Sequence, residues 1–300
     1  MQREKYESVQ RMQDYIETNL DTQISLSDLA DAAGYSECHA SRVFKELVGI
    51  APLEYLRARR LSRAAEKLRD STGKILEISL EANFDSHEGF IRAFKRRFGF
   101  SPGYYRRNTP PIPLFFPRSA RDYYLHYFKG ETSTMETQME NTVFVQVVER
   151  PERKLILHRG KAATHYFEYC EEVGCDVWGV LSSIKEALYE PIGMWLPDNM
   201  IKPGTSKYAQ GVEIPVNYAG PVPEGMEIID LKPCRMMLFQ TPPYRDEEMG
   251  PVICGLQKRI DAYNPTVFGY EWADRDGPRY QLIPLPERGY IEARPVKKHL

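Results

Sequence analysis

Residues 24–68 read ISLSDLADAAGYSECHASRVFKELVGIAPLEYLRARRLSRAAEKL, and this stretch decides the fold of the first third of the chain. It begins with apolar residues at the i, i+3, i+4, i+7 spacing of one helix face: Leu26, Leu29, Ala30 and Ala33. Gly34 follows, and because glycine adopts positive φ without steric cost, it predicts a turn that ends this helix. A second helix is expected between Ser36, as its N-cap, and Gly49.

Residues 75–107 repeat this pattern and read ILEISLEANFDSHEGFIRAFKRRFGFSPGYYRR. The offset between the two segments is 49 residues as far as the turn and 50 after it, because Asp85 adds one residue there. Asn83 takes the place of Gly34, and asparagine is one of the few other residues that adopt the left-handed conformation. Ser86 is the expected N-cap of the following helix. Each segment is therefore expected to form one helix-turn-helix unit.

The second helix of each unit has an apolar side and a polar side. The apolar positions are expected to face the core: Ala40, Val43, Phe44, Leu47, Phe90, Ala93, Phe94 and Phe98. The opposite side presents cations and hydrogen-bonding groups: Glu37, Cys38, Ser41, Arg42, Lys45, His87, Glu88, Ile91, Arg92 and Lys95. Such groups suit base-edge and phosphate contacts, so we interpret both helices as recognition helices for the major groove of DNA. For His39, a surface role is the simpler interpretation.

The charge of the chain is unevenly distributed. The net charge of the 300 residues is −2, yet residues 34–107 carry 15 basic and 9 acidic side chains, a net charge of +6. A local positive block of this kind is expected where one surface meets a polyanion. Part of the block lies on an expected connecting helix, residues 52–68, which should let the two recognition helices read successive major-groove segments.

Residues 5–107 resemble the DNA-binding domain of AraC/XylS-type transcription regulators. The second unit carries most of that family's GF-x-S…F-x-R-x-FK…G-x-SP…YR pattern and departs from it at Ser79 and Asn83. The resemblance implies DNA-contacting positions on the two recognition helices: Cys38, Ser41, Arg42, Lys45, His87, Glu88, Arg92 and Lys95. Glu88 suits acceptance of a hydrogen bond from a cytosine amino group but repels phosphate.

Composition limits the class of protein. Hydrophobic residues make up 42% of the chain and charged residues 27%, which is typical of a soluble protein, and the length favours two domains. No run of about 18 apolar residues occurs, so no transmembrane helix is expected, and the charged N-terminus predicts no secretory signal. The five cysteines form no C-x-x-C pair, which disfavours a disulfide framework or zinc finger and favours a reducing cytoplasm.

A boundary is expected after residue 107. Residues 108–118 read NTPPIPLFFPR, whose four prolines predict a stiff segment rather than a helix or a central strand. Residues 119–129 are aromatic and predict a short helix or docking segment, and residues 130–142 are polar and predict a flexible connector. We therefore expect a DNA-binding domain at 1–107, a linker at 108–142 and a second domain at 143–300.

The sequence of the second domain predicts strands and helices, and the same order of elements occurs twice. Its first part predicts strands at 143–148, 154–158 and 211–218 and a helix within 166–189, clearest at 180–188. Its second part predicts strands at 226–231, 235–240, 267–272, 280–285 and 290–296 and a helix at 246–263. The predicted fold is multidomain: an all-α double helix-turn-helix domain followed by an α+β domain of two strand-helix-strand-strand repeats.

No nucleotide-binding loop, metal-ligand spacing or G-x-S-x-G motif occurs in the second domain, so we expect no cofactor, no metal and no catalytic site. Glu271 lies between Tyr270 and Trp272 in an apolar strand, and strand alternation places it on the face opposite both neighbours. It is either a solvent-facing carboxylate on an edge strand or a carboxylate in an aromatic cavity suited to a cationic or polar ligand.

The order of elements in residues 143–297 resembles GyrI-like effector-binding domains. The resemblance rests on the segments VPEGMEIIDLKPCRMMLF, VFGYEWA and YIEARPVKK. It implies a ligand cleft between the two repeats, faced by a glutamate on a late strand; Glu271 matches that position best, with Glu213 and Glu292 as alternatives. Aromatic residues are the expected lining of this cleft: Trp178, Trp195, Tyr208, Tyr270, Trp272 and Tyr280.

The combined expectation is a cytoplasmic regulator of transcription, and not an enzyme. Its expected partners are double-stranded DNA, a small cationic or aromatic effector and RNA polymerase, but no membrane. Because one chain carries two recognition helices, a monomer is sufficient for DNA binding, and a homodimer is not excluded. One alternative is a regulator-fused hydrolase that uses Glu271 as general base with Tyr208 or Tyr280. Another is a ligand-independent regulator whose second domain contacts other proteins.

Overall fold

The computed structural model describes residues 2–117, 142–174 and 176–299. The chain divides into two compact units, Met1–Thr132 (unit 1) and Ser133–Leu300 (unit 2). The expectations for residues 119–129 and 130–141 lie outside the described residues. In the described part of the chain, no helix has the length and apolar character needed to cross a membrane.

Unit 1 is helical over its described residues. The helices are α1 (Gln2–Thr18), α2 (Leu26–Ala33), α3 (Glu37–Val48), α4 (Pro52–Asp70), α5 (Ile75–Glu81), α6 (His87–Phe98) and α7 (Pro102–Asn108). The predicted helix-turn-helix units are therefore α2–α3 and α5–α6, and α4 connects them. The all-α character of this part of the chain is confirmed.

The turns of the two units are closed in the same way. The backbone N–H groups of Tyr35 and Phe84 each reach back to the preceding helix, at 3.0 and 3.3 Å from the accepting carbonyl oxygens. Gly34 has a φ of 72° and Asn83 a φ of 53°, so the predicted left-handed conformation of Asn83 is confirmed. The two turns match through Asn83 and Phe84. The extra residue of the second unit, Asp85, follows them and directly precedes the N-cap Ser86.

The N-caps of the two recognition helices differ. The Ser86 hydroxyl accepts a hydrogen bond from the N–H of Gly89 at 3.1 Å, as predicted. Ser36 is the N-cap residue of α3, as predicted, but its side chain makes no capping hydrogen bond with the described residues. Helix α3 is therefore held by its apolar side more than by its cap.

Each helix-turn-helix unit has its own core. Phe44 in the first and Phe94 in the second are completely buried at equivalent positions of the repeat. The other predicted inward positions are buried as well, apart from Leu47, which is half-buried. Beyond α7, Ile112 and Leu114 complete the second core, so the start of the predicted linker packs against unit 1.

The described residues of unit 2 form nine strands, which pair in one antiparallel sheet. They are β1 (Phe144–Arg150), β2 (Arg153–Arg159), β3 (Ile192–Trp195), β4 (Tyr208–Ile214), β5 (Glu227–Leu231), β6 (Cys234–Gln240), β7 (Tyr270–Trp272), β8 (Arg279–Gln281) and β9 (Ile291–Lys298). The strand order is β1-β6-β9-β8-β3-β4-β2-β5, and β7 pairs with β9 outside this path. The predicted α+β class is confirmed, although each repeat begins with two strands rather than one.

In the part of unit 2 that the structure describes, one face of this sheet is covered by the helices α8 (Tyr166–Val173), α9 (Asp176–Ser182) and α10 (Met249–Ala262). Helix α9 packs on β2 and β4, whereas α10 packs on β6 and β9. Strands β3 and β8 lie between these two helix-covered parts of the sheet, where the two repeats meet. The opposite face carries a separate apolar cluster that includes Met194, Ala209 and Ala293.

The helix predicted most clearly at 180–188 is wrong. Helix α9 ends at Ser182, and residues 183–188 form turns. The hydroxyl groups of Ser182 and Ser183 donate to the carbonyl oxygens of Trp178 and Val180, at 2.8 and 2.7 Å. Serine side chains that bond to nearby carbonyls weaken a helix, and here they mark its end.

Candidate functional site

The outer face of each recognition helix carries the predicted polar residues. On α3, Cys38, Arg42 and Lys45 are exposed, and Ser41 is half-buried. On α6, Glu88, Arg92 and Lys95 are exposed, and His87 is half-buried. Both helices therefore present a pair of exposed cations one turn apart, Arg and Lys, at positions related by the repeat.

His39 on α3 contacts the predicted base-reading arginine. Its Nδ1 lies 2.9 Å from Nη2 of Arg42, and the ring of Tyr35 meets the imidazole edge-on with 4.3 Å between centroids. Because an arginine nitrogen only donates, the Nδ1 atom accepts, and the imidazole holds the guanidinium in place. Sequence reasoning missed this role; the i, i+3 spacing of the two residues is the feature that indicates it.

His87 occupies a different environment on α6. Its Nδ1 lies 3.4 Å from the Ser79 hydroxyl of α5, which directs the ring toward the preceding helix of the same unit. Lys95, Arg96 and Arg97 follow in the last turn of α6. The exposed charge of the second recognition helix is therefore concentrated at its C-terminal end.

Most cations of the connecting helix α4 are engaged within unit 1. Arg59 donates to both carboxylate oxygens of Glu17 at 2.7 Å, and Arg60 donates to the carbonyl oxygens of Leu20 and Thr22. Further pairs on this helix are Arg63 with Asp21 at 3.0 Å, Lys67 with Glu81 at 2.6 Å and Arg69 with Asp70 at 2.8 Å. The positive block of the sequence is thus presented mainly by the two recognition helices.

Comparison with known proteins agrees with this arrangement. A family model described as a helix-turn-helix domain matches residues 29–108. The chain is 47% identical over 94 residues to the transposon Tn10 TetD protein of Escherichia coli, and 40% identical over 92 residues to the transcriptional activator AarP of Providencia stuartii; each match covers 31% of this chain and 68% of the relative. The chain belongs to the AraC-type helix-turn-helix family of DNA-binding transcription regulators.

The AraC-type region is also similar to that of a larger relative. The transcriptional regulator Rob of Salmonella typhimurium is 45% identical over 108 residues, which cover 33% of this chain and 37% of Rob. The AraC-type match therefore spans little more than a third of that relative.

Glu271 does not lie in an aromatic cavity. Its carboxylate pairs with Lys297 Nζ at 3.0 Å and lies 3.2 Å from His299 Nδ1, and its side chain is 42% exposed. Hydrogen bonds from Lys297 and His299 lower the pKa of this carboxyl. This geometry matches the first interpretation, a solvent-facing carboxylate, because β7 pairs with the charged C-terminal end of β9.

The structure instead places a polar row between the two repeats. Gln210 pairs with Gly193, Gly193 with Gln281, and Gln281 with Glu292, across β4, β3, β8 and β9. Directly paired residues share one face of a sheet, here the face that carries the helices. Gly193 is required in this row because a Cβ there would overlap the hydroxyl of Tyr208.

A second row runs beside the first on the same face. It consists of Tyr208, Trp195 and Arg279, which are paired across β4, β3 and β8. The rings of Trp195 and Tyr208 meet edge-on with 5.6 Å between centroids, and Gln281 donates to the Tyr208 hydroxyl at 3.0 Å. We call Tyr208, Trp195, Arg279, Gln281 and Glu292 the central polar site.

Glu292, one of the alternatives named from the sequence, is the buried carboxylate of this site. Its side chain is completely buried, and both of its oxygens are occupied. Oε1 accepts from the Tyr290 hydroxyl at 2.7 Å and from Gln257 at 2.8 Å, and Oε2 accepts from Arg279 Nη2 at 2.7 Å and Nε at 3.0 Å. Burial first, and then the Glu292 charge, hold the pKa of the Tyr290 hydroxyl well above its usual value.

Glu213, the other alternative, lies on the opposite face in a separate buried cluster. Its Oε1 accepts from Arg153 Nε at 2.7 Å, and its Oε2 lies 3.8 Å from Arg150 Nη1. Arg150 also donates to the Tyr280 hydroxyl at 3.0 Å. Tyr280 therefore belongs to this cluster rather than to the central polar site.

The remaining predicted lining residues are dispersed. Tyr270 and Trp272 pack with Phe239 beside α10, and Trp178 is buried on α9. The structure thus brings together Trp195 and Tyr208 from the predicted lining with Glu292, one of the two alternative glutamates, and it adds Arg279 and Gln281. Among the described residues, no group of three or more His, Cys, Asp or Glu side chains is placed to hold a metal ion.

Proposed function

We propose that this protein is a ligand-responsive transcription regulator in which unit 1 reads DNA with two helices and unit 2 binds a small molecule. The observation that carries the DNA-binding part is the equivalence of α3 and α6. Arg42 and Lys45 match Arg92 and Lys95 in position and exposure, on helices that are closed by equivalent turns. Helices of this kind enter successive major-groove segments when a rigid element fixes their separation, which is the role of α4.

We propose that the two recognition helices contribute unequally to sequence reading and to DNA affinity. Arg42 is oriented by His39 and suits bidentate contact with a guanine, whereas α6 combines Arg92 with the cations of its last turn. Glu88 adds an acceptor in the first turn of α6, where it suits a cytosine amino group. We therefore expect the first half-site to be read more sharply and the second to be bound more tightly.

The test replaces the equivalent arginines one at a time. Arg42→Ala and Arg92→Ala should each weaken binding to a selected DNA site by about 1–3 kcal/mol, measured by fluorescence anisotropy with the full chain. Arg235→Ala in unit 2 is the charge-matched control, because this exposed arginine pairs with Glu149 on β1 and β6. If both recognition-helix variants bind the site as tightly as the control does, the two-helix model is wrong.

The ligand-binding part of the proposal rests on the central polar site. It combines a buried carboxylate, a buried tyrosine and a half-exposed tryptophan where the two repeats of unit 2 meet. Small-molecule sites are typically lined by aromatic side chains together with a few fixed polar groups. A ligand changes the DNA affinity only if it binds one arrangement of unit 2 more tightly than another. The size of the change is limited by the difference between those two ligand affinities.

This part is tested by DNA affinity in the presence of a panel of small aromatic compounds. A compound that binds the central polar site should change the DNA affinity of the wild type by about 5-fold or more and leave Glu292→Gln unaffected. Glu271→Gln is the control, because Glu271 lies outside the site. A panel that leaves wild-type DNA affinity unchanged, or that acts equally on Glu292→Gln, would contradict the proposed sensor.

The hydrolase alternative lacks its expected constellation. Glu271 is paired with Lys297 and His299, whereas Tyr208 and Tyr280 contact other groups on opposite faces of the sheet. Glu292 already accepts four hydrogen bonds, which leaves little capacity to take a proton from water. We therefore favour ligand binding over hydrolysis.

A further inference from the structure

Arg279 occupies the central polar site in the way that a bound cation would. Its Nε and Nη2 both donate to Oε2 of Glu292, and its Nη1 donates to Asp261 at 2.9 Å. Its guanidinium carbon lies 5.4 Å from the centroid of the Trp195 ring. A buried carboxylate and an aromatic ring are the two partners that proteins offer to cationic ligands.

We infer that Arg279 is a built-in occupant that excludes cationic ligands, so that the central polar site takes an uncharged aromatic molecule. This inference rests on the proposed ligand-binding role of unit 2. It narrows the effector expected from the sequence, a small cationic or aromatic molecule, to an uncharged aromatic one, because the carboxylate that would bind a cation is already paired with a residue of the same chain.

The covalent attachment of Arg279 makes it a strong competitor. It lies on β8, next to β9 and Glu292, so its effective concentration at the carboxylate is about millimolar or higher. A free cation would have to displace it from Glu292, which would leave the guanidinium with one of its two carboxylate partners, Asp261. A ligand present at lower concentration therefore loses this competition.

Anions are disfavoured for a separate reason. The group of charges consists of Arg279 between Glu292 and Asp261, which gives a net charge of −1. An anionic ligand would meet this negative charge, and the cation of the group, Arg279, is already paired with both carboxylates. Coulomb repulsion at short range thus disfavours anions. Cations are disfavoured by Arg279, which competes for the carboxylate from within the same chain.

Uncharged polar groups complete the site. The amide of Gln210 is 1% exposed, and neither its nitrogen nor its oxygen has a hydrogen-bond partner among the described residues. It lies in the same row as Gln281, with Gly193 between them on β3 and the Tyr208 hydroxyl beside that glycine. A buried amide of this kind has one donor group and one acceptor to offer, which suits a neutral molecule with both.

The experiment measures binding of an aromatic cation, tetraphenylphosphonium, to the full chain by calorimetry. Wild type should not bind it, whereas Arg279→Met should gain binding, at least about tenfold tighter than any wild-type signal. The double variant Arg279→Met/Glu292→Gln should lose the gained binding. Arg294→Met is the matched control: Arg294 pairs with Asp274 and lies 4.2 Å over Trp272, but outside the site, so this variant should not gain binding.

Two outcomes would overturn the inference. One is wild-type binding of the cation that is lost in Glu292→Gln, which would show that Arg279 does not exclude cations; this measurement holds even if Arg279→Met fails to fold. The other is a folded Arg279→Met, with wild-type circular dichroism, that does not bind. Neither outcome depends on DNA. A failure of the proposed regulator would be seen separately, as a wild-type DNA affinity that none of the small aromatic compounds changes.

Discussion

The imidazole Nδ1 of His39 lies 2.9 Å from Nη2 of Arg42, one turn away on the outer face of α3. We expect His39→Ala to weaken discrimination at the base pair that Arg42 reads, by about 0.5–1.5 kcal/mol, because a freer guanidinium loses more entropy on binding. The measurement is anisotropy with the selected site and with the site changed at that base pair. In the Arg42→Ala background, His39→Ala should have no further effect; equal effects in both backgrounds would contradict the positioning role.

The Glu17–Arg59 pair ties α1 to α4. Both side chains are mostly buried, the two hydrogen bonds measure 2.7 Å, and Arg59 also donates to the carbonyl oxygen of Phe115 at 3.1 Å. Arg59→Ala should therefore lower the free energy of unfolding of unit 1 by about 1–3 kcal/mol in a urea titration. Arg63→Ala is the control, since the Arg63–Asp21 pair is exposed and should contribute less than about 1 kcal/mol. Equal losses in the two variants would contradict this ranking.

Phe44 and Phe94 occupy equivalent, completely buried positions in the two helix-turn-helix cores. Phe44→Ala and Phe94→Ala should each cost about 3–5 kcal/mol, because each leaves a cavity among aromatic neighbours. Native-state hydrogen exchange should locate the loss of protection in α2–α3 for the first variant and in α5–α6 for the second. Uniform loss across unit 1 in both variants would show that the two cores are not separate.

Glu172 links the α8 helix to the loop before it. Its carboxylate accepts from the backbone N–H groups of Lys161, Ala162 and Ala163. Burial raises the pKa of Glu172, but the backbone hydrogen bonds lower it by more, so it lies below the usual value. A depressed pKa in the folded state stabilises the fold above the unfolded-state pKa of about 4.3 and loses that contribution as pH falls through the folded-state value.

The corresponding test compares Glu172→Gln with wild type at two pH values. The variant should be less stable than wild type at about pH 7, and the difference should shrink toward zero at about pH 3. Glu152→Gln, an exposed carboxylate between β1 and β2, is the control. A stability difference that is the same at both pH values would exclude the charge of Glu172 as its cause.

The repeat made unit 1 predictable in detail. Helices, turns and inward residues followed from two matching segments, and even the φ of Asn83 could be predicted, because each feature depends on residues close in sequence. The missing cap at Ser36 and the internal use of the α4 cations could not be predicted. The pairing of the α4 cations depends on residues that are distant in sequence: Glu17, for example, is 42 residues from Arg59.

The central polar site was only partly predictable for the same reason. Strand alternation assigns Glu271 to a face but does not say whether anything covers that face, and the register with β9 places Lys297 beside it. Glu292 could be named as an alternative, but its neutralisation by Arg279 depends on the pairing of β8 with β9. Periodicity along one strand contains no information about that pairing.

The internal engagement of the α4 cations also affects how DNA binding responds to salt. Each phosphate that a protein cation neutralises releases condensed counterions, with a slope of about −0.9 per contact in a log–log plot of affinity against salt concentration. Arg59, Arg60, Arg63, Lys67 and Arg69 already have partners within unit 1. The thermodynamic count of released ions should therefore reflect the free cations of α3 and α6 and fall well below the number of basic residues in the positive block.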